Sequence, residues 1–521
     1  HSPHQVPQEW IDAYAGRFDD GWDMLRERTL ERQKELGIVP SDVELSDRPS
    51  WVDAWDDLGA EEQTLYARLQ EVFAAFLTHT DAQIGRIMDE LEASVLDAIE
   101  RSPQADNTIV VLISDNGASG EGGPHGSVNH LAQLNNHLED LEQLKDESDR
   151  AGGHHGYNHY PWGWAHAGNT PLKRWKRYAF EGGVRDPLIV RWPERAGDVG
   201  GLRDQYCHVV DLLPTVLDLL DVDMPTQVRG VDQISLDGVS LRPTIDDAGA
   251  ADVRTSQYYE VWGSRAMYHE GWKVVTDHVN QLNPYERERM EGSDDFRTDH
   301  WALHHADEDF SEITDLSETH PEKRDELVAL WWKEAGRNDV LPLDDAVQNR
   351  FPFMHTPYLG YRRRYELRRG ERISVYSGPM MGGGFTAAAS LTEPLGDAAG
   401  TICEQGDWIA GWSWVVVGGE LVFFLHAPDS GAHRFAVPAP AEARLLGMVI
   451  ADAADGGFEV VMTADGREIG RGAVAGRVPG IITTNGEWLT VGYATDFPVA
   501  DDYDPPFPLS ALDSVVIDAG P

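Results

Sequence analysis

An acidic dipeptide that follows an apolar run is the clearest candidate for chemistry in this sequence. The apolar residues Ile109–Leu112 predict a strand that is covered on both faces, and Asp115 and Asn116 come shortly after it. A carboxylate and an amide oxygen are hard donors of the kind that calcium prefers, and open α/β sheets place their sites at the carboxyl ends of strands. The alternative is an Asp-Asn-Gly turn that binds nothing.

A basic segment is the second candidate. Lys173–Arg177 holds four of the 43 basic residues of a chain whose formal net charge is -46, and Gly182-Gly183 follow it. Such a local excess of positive charge is a candidate anion site, and a positioned lysine can also neutralise charge on a leaving oxygen. The alternative is a solvated basic loop that offsets nearby carboxylates.

Histidines form the third group of candidates. His1 stands in a run that Pro3 and Pro7 stiffen, and it could act as a general acid or donate to an anion near neutral pH. Seven further histidines lie between His125 and His166, but none of them has the spacing of a zinc site. We interpret these seven as loop histidines.

The elements around these residues predict an α/β domain. Apolar residues recur at a helical period over Glu62–Glu100, with an interruption expected around Thr78–Thr80, and the strand follows directly. Helix followed by buried strand is half of an α/β unit. Further elements are predicted at Pro187–Trp192 (strand), at His208–Leu220 (helix, with a kink or restart at Pro214) and from Pro321 to Gly336 (helix).

Beyond about Phe351 the pattern changes to short β-rich runs between glycine turns, which predicts an all-β sandwich. Gly418-Gly419 and Asp465-Gly466 are typical of two-residue hairpin turns. We therefore divide the chain into domains at 1–350 and 351–521. The strands expected here are Ser413–Val417, Glu420–Leu425, Phe458–Met462, Ile481–Thr484, Trp488–Gly492 and Ser514–Asp518, with Trp408, Trp412 and Trp414 as either stacking faces for a carbohydrate or core residues.

Composition excludes several classes of protein. With 41% hydrophobic residues the chain can bury a sizeable core, while its strong negative charge disfavours nucleic acid and anionic membranes as partners. No apolar run is long enough to cross a membrane and no signal peptide is visible, which favours a cytoplasmic location. Cys207 and Cys403 share no metal or redox spacing, so we expect buried, unreactive thiols.

Several motifs, taken in order, resemble the arylsulfatase family of the alkaline-phosphatase-like superfamily. The resemblance covers residues 1 to about 345 and implies an α/β/α sandwich, incomplete at its N-terminus, to which a concanavalin-like β-sandwich is appended. The motifs are HSPHQVP at 1–7, DNTIVVLISDNGASGEGG at 106–123, YNHYPWGWAHAGNTPLKRWKRYAFEGGVRDPLIVRWP at 157–193, HVVDLLPTVLDL at 208–219 and EVWGSRAMYHEGWKVVTDH at 260–278.

This resemblance implies calcium-dependent hydrolysis of sulfate monoesters, with in-line attack by the hydrate of a formylglycine made from Cys or Ser. Asp115 and Asn116 would match the later of two pairs of metal ligands. Lys176 would match a lysine that contacts the sulfate and supports the leaving oxygen, and His1 a histidine that helps to protonate that oxygen. Such groups suit a transition state that develops negative charge.

The sequence departs from the family pattern in two respects. It contains no Cys-x-Pro-x-Arg or Ser-x-Pro-x-Arg motif, and the early pair of aspartates is absent. We therefore expect the C-terminal part of a sulfatase catalytic domain, with the formylglycine upstream of His1, and no activity of this chain alone on a small-molecule sulfate ester. The rival hypotheses are a phosphonate or phosphodiester hydrolase of the same superfamily and a non-catalytic glycan-binding protein.

Overall fold

The chain forms two compact units, which we name the α/β unit and the β unit. The α/β unit comprises Tyr14–His125 and Tyr160–Val347, and the β unit comprises His1–Ala13, Gly126–His159 and Gln348–Pro521. The computed structural model describes residues 2–93, 103–134, 138–195, 200–280, 284–290, 292–345, 363–374, 384–427, 430–453, 456–476, 478 and 488–519.

This division differs from the single boundary predicted at residue 350, because two early segments belong to the β unit. Leu131 gives a physical reason, since it packs against Ile409 and Ala410 in one buried cluster. Short backbone bridges between Ser127 and His159 also close the early segment on itself.

Helices and strands occur in both units. Among the described residues the helices are α1 (Gln8–Asp12), α2 (Gly21–Leu36), α3 (Ala60–Ala93), α4 (Pro103–Asp106), α5 (His130–Leu134), α6 (Leu141–Asp146), α7 (Trp162–Gly168), α8 (Glu181–Val184), α9 (Leu212–Leu219), α10 (Arg242–Asp246), α11 (Pro284–Arg289) and α12 (Pro321–Arg337). The first strands are β1 (Val110–Ile113), β2 (Leu188–Arg191), β3 (Gln227–Val228), β4 (Val231–Asp232), β5 (Ser256–Val261), β6 (Ser264–His269), β7 (Trp272–Thr276) and β8 (Ala302–His305). The later strands are β9 (Arg364–Arg368), β10 (Arg372–Ser374), β11 (Phe385–Leu391), β12 (Gly400–Gly406), β13 (Gly411–Val417), β14 (Glu420–Ala427), β15 (Gly431–Pro438), β16 (Leu445–Asp452), β17 (Phe458–Ala464), β18 (Arg467–Val474), β19 (Trp488–Val491) and β20 (Leu512–Ala519).

Strand β1, which leads to the acidic dipeptide, is in the predicted place but not in the predicted environment. It pairs with β2 in an antiparallel two-stranded sheet. Val111, Leu112 and Ile113 are 38%, 41% and 40% exposed, so the prediction of a strand covered on both faces is wrong. The reason is that, within the described residues, β1 has one neighbouring strand and no layer that buries its apolar side chains.

Helix α3 is continuous where an interruption was expected. Both threonines are accommodated in the helix, because Thr78 Oγ1 donates to Ala74 O and Thr80 Oγ1 donates to Phe76 O. Such back-bonding lets a threonine remain in a helix at small cost. Among the described residues, no helix is both long enough and apolar enough to span a bilayer.

The helix predicted from Pro321 to Gly336 is confirmed to within a residue, whereas the one predicted at His208–Leu220 begins as a 3-10 turn at Val209–Asp211 and is α-helical only from Leu212. Helix α9 starts at Leu212, so Pro214 lies in its first turn and replaces no intrahelical hydrogen bond. Helix α12 starts at Pro321 and buries Leu327 and Trp331.

The α/β unit also contains an antiparallel sheet that the sequence reasoning missed. Its order is β5-β6-β7-β8, and α12 packs on it around Trp331 and Leu327. The connecting turns place Trp262-Gly263 and Glu270-Gly271 at positive φ. This sheet carries Lys273, and Asp277 directly follows β7; both residues support the candidate site described below.

In the part of the chain that the structure describes, the β unit is a sandwich of two six-stranded antiparallel sheets, and the predicted all-β sandwich is confirmed. One sheet has the order β10-β19-β12-β13-β14-β15 and the other β18-β17-β16-β11-β20-β9. Both hairpins are confirmed, since Gly418-Gly419 connect β13 to β14 and Asp465-Gly466 connect β17 to β18, all at positive φ. The strand predicted at Ile481–Thr484 lies outside the described residues.

The core between the two sheets contains Trp412 and Trp414, which are fully buried. Of the two readings of these tryptophans, the structure supports the core reading. Cys403 is buried in the same core, where burial raises the pKa of its thiol, as expected for an unreactive cysteine. Cys207 is half-buried, and burial raises the pKa of its thiol as well.

Candidate functional site

The loop that follows β1 packs so closely against Gly182 that there is no room for a side chain at Gly117. Gly117 N donates to Gly183 O at 3.3 Å, and Ala118 N donates to Asn169 Oδ1 at 2.9 Å. An ideal Cβ on Gly117 would lie 1.8 Å from Gly182 O, which no side chain tolerates. Glycine is therefore required at this position, next to the acidic dipeptide.

The dipeptide itself is accessible. Asp115 is exposed and Asn116 is half-buried, and Asn116 Nδ2 donates to Asp115 Oδ1 at 2.9 Å. Ser114 Oγ donates to Asn116 O at 3.0 Å and so fixes the turn. The carboxylate and amide oxygens thus lie side by side at the end of β1.

Lys176 joins this loop through both its backbone and its side chain. Its N–H donates to Ala118 O at 3.0 Å, and its Nζ lies 3.0 Å from Glu121 Oε2. Arg174 and Arg177, on either side, have φ values of +68° and +88°. Because residues other than glycine rarely adopt this left-handed conformation, the backbone around Lys176 is held in a specific shape.

The neighbouring cations do not form the anion site considered from the sequence. Arg174 pairs with Asp277 at 2.8 Å, and Arg177 pairs with Glu286 at 2.5 Å. Lys173 Nζ donates to Glu312 O at 3.3 Å. These cations do offset carboxylates, as the alternative of a solvated basic loop predicted. They are largely buried, however, and not solvated.

A buried ion network stabilises the turn that contains Gly182 and Gly183. Lys273 Nζ lies 2.7 Å from Glu181 Oε1 and 2.9 Å from Glu312 Oε1, and its side chain is 1% exposed. Burial alone would raise the pKa of Glu181, but the attraction of Lys273 outweighs it and lowers that pKa. Because Glu181 begins α8, the network fixes the two glycines that contact Gly117.

Asp186 is a feature of the site that the sequence reasoning did not single out. Burial and the charge of the nearby Asp115 raise the pKa of its carboxyl to about 7. The sequence could have indicated that Asp186 lies near Asp115. Asp186 comes directly before Pro187 and β2, Asp115 follows β1, and both strands were predicted.

The oxygen donors fit a hard divalent cation in type but not in number. Asp115 and Asn116 offer a carboxylate and an amide, whereas calcium takes about six to eight oxygens. Among the described residues, no group of three or more His, Cys, Asp or Glu side chains is arranged to hold a metal ion. Of the four site residues predicted from the sequence, Asp115 and Asn116 lie in the loop that follows β1, Lys176 contacts Ala118 and Glu121 of the same loop, and His1 lies outside the described residues.

Comparison with known proteins gives consistent matches over the first two thirds of the chain. A family model described as sulfatase matches residues 1–222, and one described as N-sulphoglucosamine sulphohydrolase, C-terminal, matches residues 173–329. An uncharacterized sulfatase of Schizosaccharomyces pombe is 30% identical over 356 residues, which are 66% of this chain and 57% of that protein. An arylsulfatase of Klebsiella aerogenes is 26% identical over 244 residues, which are 46% of this chain and 48% of that protein.

The chain thus spans about half the length of these curated relatives. Among solved structures, one from work on the metabolism of multiple glycosaminoglycans by Bacteroides thetaiotaomicron is 19% identical. Its TM-score is 0.32, and the match covers 52% of this chain and 45% of that one.

Proposed function

Since the chain belongs to the sulfatase family, with an alkaline-phosphatase-like α/β fold and a C-terminal β-sandwich, we propose that the protein hydrolyses sulfate monoesters. The observation that carries this proposal is that Lys176 is hydrogen-bonded to the loop that begins with Asp115 and Asn116. Two hydrogen-bonded contacts, from Lys176 N to Ala118 O and from Lys176 Nζ to Glu121, hold this arrangement.

In the proposed reaction Lys176 binds a sulfuryl oxygen and stabilises the charge that develops on the leaving oxygen. An ammonium group can do this because it is a compact point charge that reaches the anion through several donors. Glu121 holds the ammonium group of Lys176 at 3.0 Å before substrate binds. Substrate sulfate would then compete with Glu121 for the same ammonium group.

Asp115 and Asn116 would hold a calcium ion together with further oxygens, since two donors do not complete its coordination. Bound there, the ion would supply positive charge beside the sulfuryl oxygens, and a formylglycine hydrate would be the nucleophile. No motif for formylglycine occurs in this sequence. On this proposal the printed chain has no turnover of its own, and His1 would protonate the leaving oxygen.

The test compares the chain as printed with any longer form that the natural gene encodes, each assayed with an aryl sulfate in calcium. We expect turnover only from a longer form that contains the formylglycine motif. Lys176→Met should lower that turnover by about 10²–10³-fold, the loss typical of one group that stabilises an oxyanion. Lys323→Met is the matched control, because Lys323 pairs with Glu326 on the surface of α12.

Three results would contradict the proposal. Turnover by the printed chain would show that the nucleophile is not missing. Equal activity of Lys176→Met and Lys323→Met would exclude the role of Lys176. Turnover of a phosphonate or phosphodiester in place of the sulfate would favour a phosphonate or phosphodiester hydrolase. Turnover of no ester at all would favour a non-catalytic glycan-binding protein.

A further inference from the structure

A short basic segment on the surface of the β unit departs from the charge of the rest of the chain. We name residues 363–372 the arginine strip, because they contain five arginines and two glutamates, whereas acidic residues in the whole chain outnumber basic ones by 89 to 43. A local excess of positive charge in an acidic protein is a candidate surface for binding an anion. The arginines, all of them exposed, are Arg363, Arg364, Arg368, Arg369 and Arg372.

The strip follows the edges of both sheets of the sandwich. Strand β9 is the last strand of one sheet, β10 is the first strand of the other, and the turn at residues 369–371 joins them. Arg369 N donates to Asp513 O at 3.0 Å, and Gly370 N donates to Val491 O at 2.8 Å. Because Asp513 lies in β20 and Val491 in β19, the turn is bonded to both sheets and the backbone of the strip is fixed.

The arginine side chains of the strip are spaced along an extended backbone. Alternate residues of β9 are buried, so Arg364 and Arg368 lie together on its outer face, about 13 Å apart along the strand. On β10, the guanidinium of Arg372 lies 4.2 Å from the centre of the Trp488 ring. This stacking covers one face of the guanidinium, while the N–H groups at its edge can still donate to an anion.

Three arginines of the strip are available to a ligand. In the part of the chain that the structure describes, Arg363, Arg368 and Arg369 form no ion pair. Arg364 is less available, because it lies 3.3 Å from Asp518. A guanidinium without a nearby carboxylate can direct all of its N–H donors to an anion from solution.

The opposite edge of the same sheet differs in this respect. It is formed by β18, where Arg471 pairs with Glu459 at 2.6 Å and with Glu468 at 2.9 Å. An exposed arginine on that edge thus has its charge compensated within the protein. The comparison indicates that positive charge is left open at the β9 edge and not at Arg471.

We propose that the arginine strip binds an extended sulfated polysaccharide, an inference that rests on the proposed function for the identity of the anion. Sulfate groups are oxyanions that can accept two parallel N–H bonds from one guanidinium. A flexible chain with sulfates at intervals contacts several arginines at once, which raises its affinity above that of any single contact. A bilayer or a DNA duplex is broader than the strip, and the formal net charge of -46 disfavours both.

The test titrates the protein with dextran sulfate and with unsulfated dextran by calorimetry, at about 50 mM and about 200 mM salt. A double variant of the strip carries Arg368→Gln and Arg369→Gln. The matched control carries Arg467→Gln and Arg471→Gln on β18, because it changes the net charge equally. We expect the strip variant to weaken binding of dextran sulfate about 3- to 30-fold more than the control does, the product of two exposed charge contacts. Higher salt should weaken binding to the wild type.

A third variant tests the opposite sign. Glu366 lies between Arg364 and Arg368 on the outer face of β9 and is exposed. Glu366→Gln removes a negative charge from the strip, so it should strengthen binding of dextran sulfate by about 2- to 5-fold. A strip that only stabilises the sandwich predicts no gain in affinity.

Unfolding midpoints show whether each variant keeps its fold, and Glu366→Gln decides alone if the strip variant unfolds. The inference would be overturned if dextran sulfate did not bind, if dextran bound equally, or if strip and control variants lost equal affinity. Binding of duplex DNA or of phosphatidylserine vesicles as tight as that of dextran sulfate would also overturn it. In each case aryl sulfate turnover could still support the proposed function. Conversely, dextran sulfate binding that depends on Arg368 and Arg369, in a protein without sulfatase turnover, would support the strip and overturn the proposed function.

Discussion

Replacing Lys273 with Met should destabilise the α/β unit strongly. The ammonium group is buried between Glu181 and Glu312, at 2.7 Å and 2.9 Å, with 1% of the side chain exposed. Removing one member of a buried ion network costs about 3–5 kcal/mol, because the remaining charges lose their partner without gaining water. Met has nearly the volume of Lys, so the change adds little cost from a cavity.

The loss should depend on pH with a definite sign. In the wild type, burial would raise the pKa of Glu181 but Lys273 outweighs it and lowers that pKa, so the carboxylate contributes stability above its unfolded pKa. Without Lys273, burial raises the pKa, and the folded state loses stability as pH rises through that value. The difference between variant and wild type should therefore be largest at about pH 7–8 and shrink toward about pH 4, near the unfolded pKa of Glu.

Differential scanning calorimetry provides the measurement. For a unit of about 300 residues, a loss of about 3–5 kcal/mol corresponds to a fall in the midpoint of roughly 5–8 °C. Lys323→Met serves as the control, since its exposed pair should contribute about 0–1 kcal/mol. A midpoint for Lys273→Met within about 2 °C of that control, at about pH 7.5, would refute the reasoning.

Two further predictions concern the site and the β unit. Gly117→Ala should lower the free energy of unfolding by about 1–3 kcal/mol for overpacking, because its Cβ would lie 1.8 Å from Gly182 O. Gly336→Ala, with no atom near its Cβ, should instead be neutral or stabilising in the same unfolding assay. Burial raises the pKa of Glu404 to about 7, so the β unit should lose about 3 kcal/mol as pH rises from about 4.5 to above 7, and Glu404→Gln should flatten this dependence. An unchanged pH profile of unfolding in Glu404→Gln would contradict that assignment.

The sequence predicted local features well where one residue type determines the backbone. Gly418-Gly419 and Asp465-Gly466 gave correct hairpins, since both positions of such turns require positive φ. The sheet β5–β8 was missed because its turns begin with Trp262 and Glu270, which rarely adopt positive φ and so gave no turn signal. The glycine that follows each of them was by itself too weak a signal to predict a hairpin.

Exposure and long-range pairing could not be predicted in the same way. Val111 and Leu112 were predicted to be buried because they are apolar. Their actual exposure depends on which elements pack against them, and the sequence pattern does not show this. The pairing of Arg174 with Asp277 and of Lys176 with Glu121 joins residues far apart in the sequence, and charge alone does not select the partner. The Asp115-Asn116 turn was predictable because its donors are adjacent in the chain.

The contact of Gly117 with Gly182 has a consequence for the genetics of this protein. Backbone meets backbone there, so a displacement of α8 passes directly to the residues beside Asp115. Substitutions at Glu181, Gly182 or Lys273 would therefore score as loss of function in a mutational survey, although these residues form a buried support. A map of sensitive positions would outline an active site larger than the set of groups that can contact a substrate.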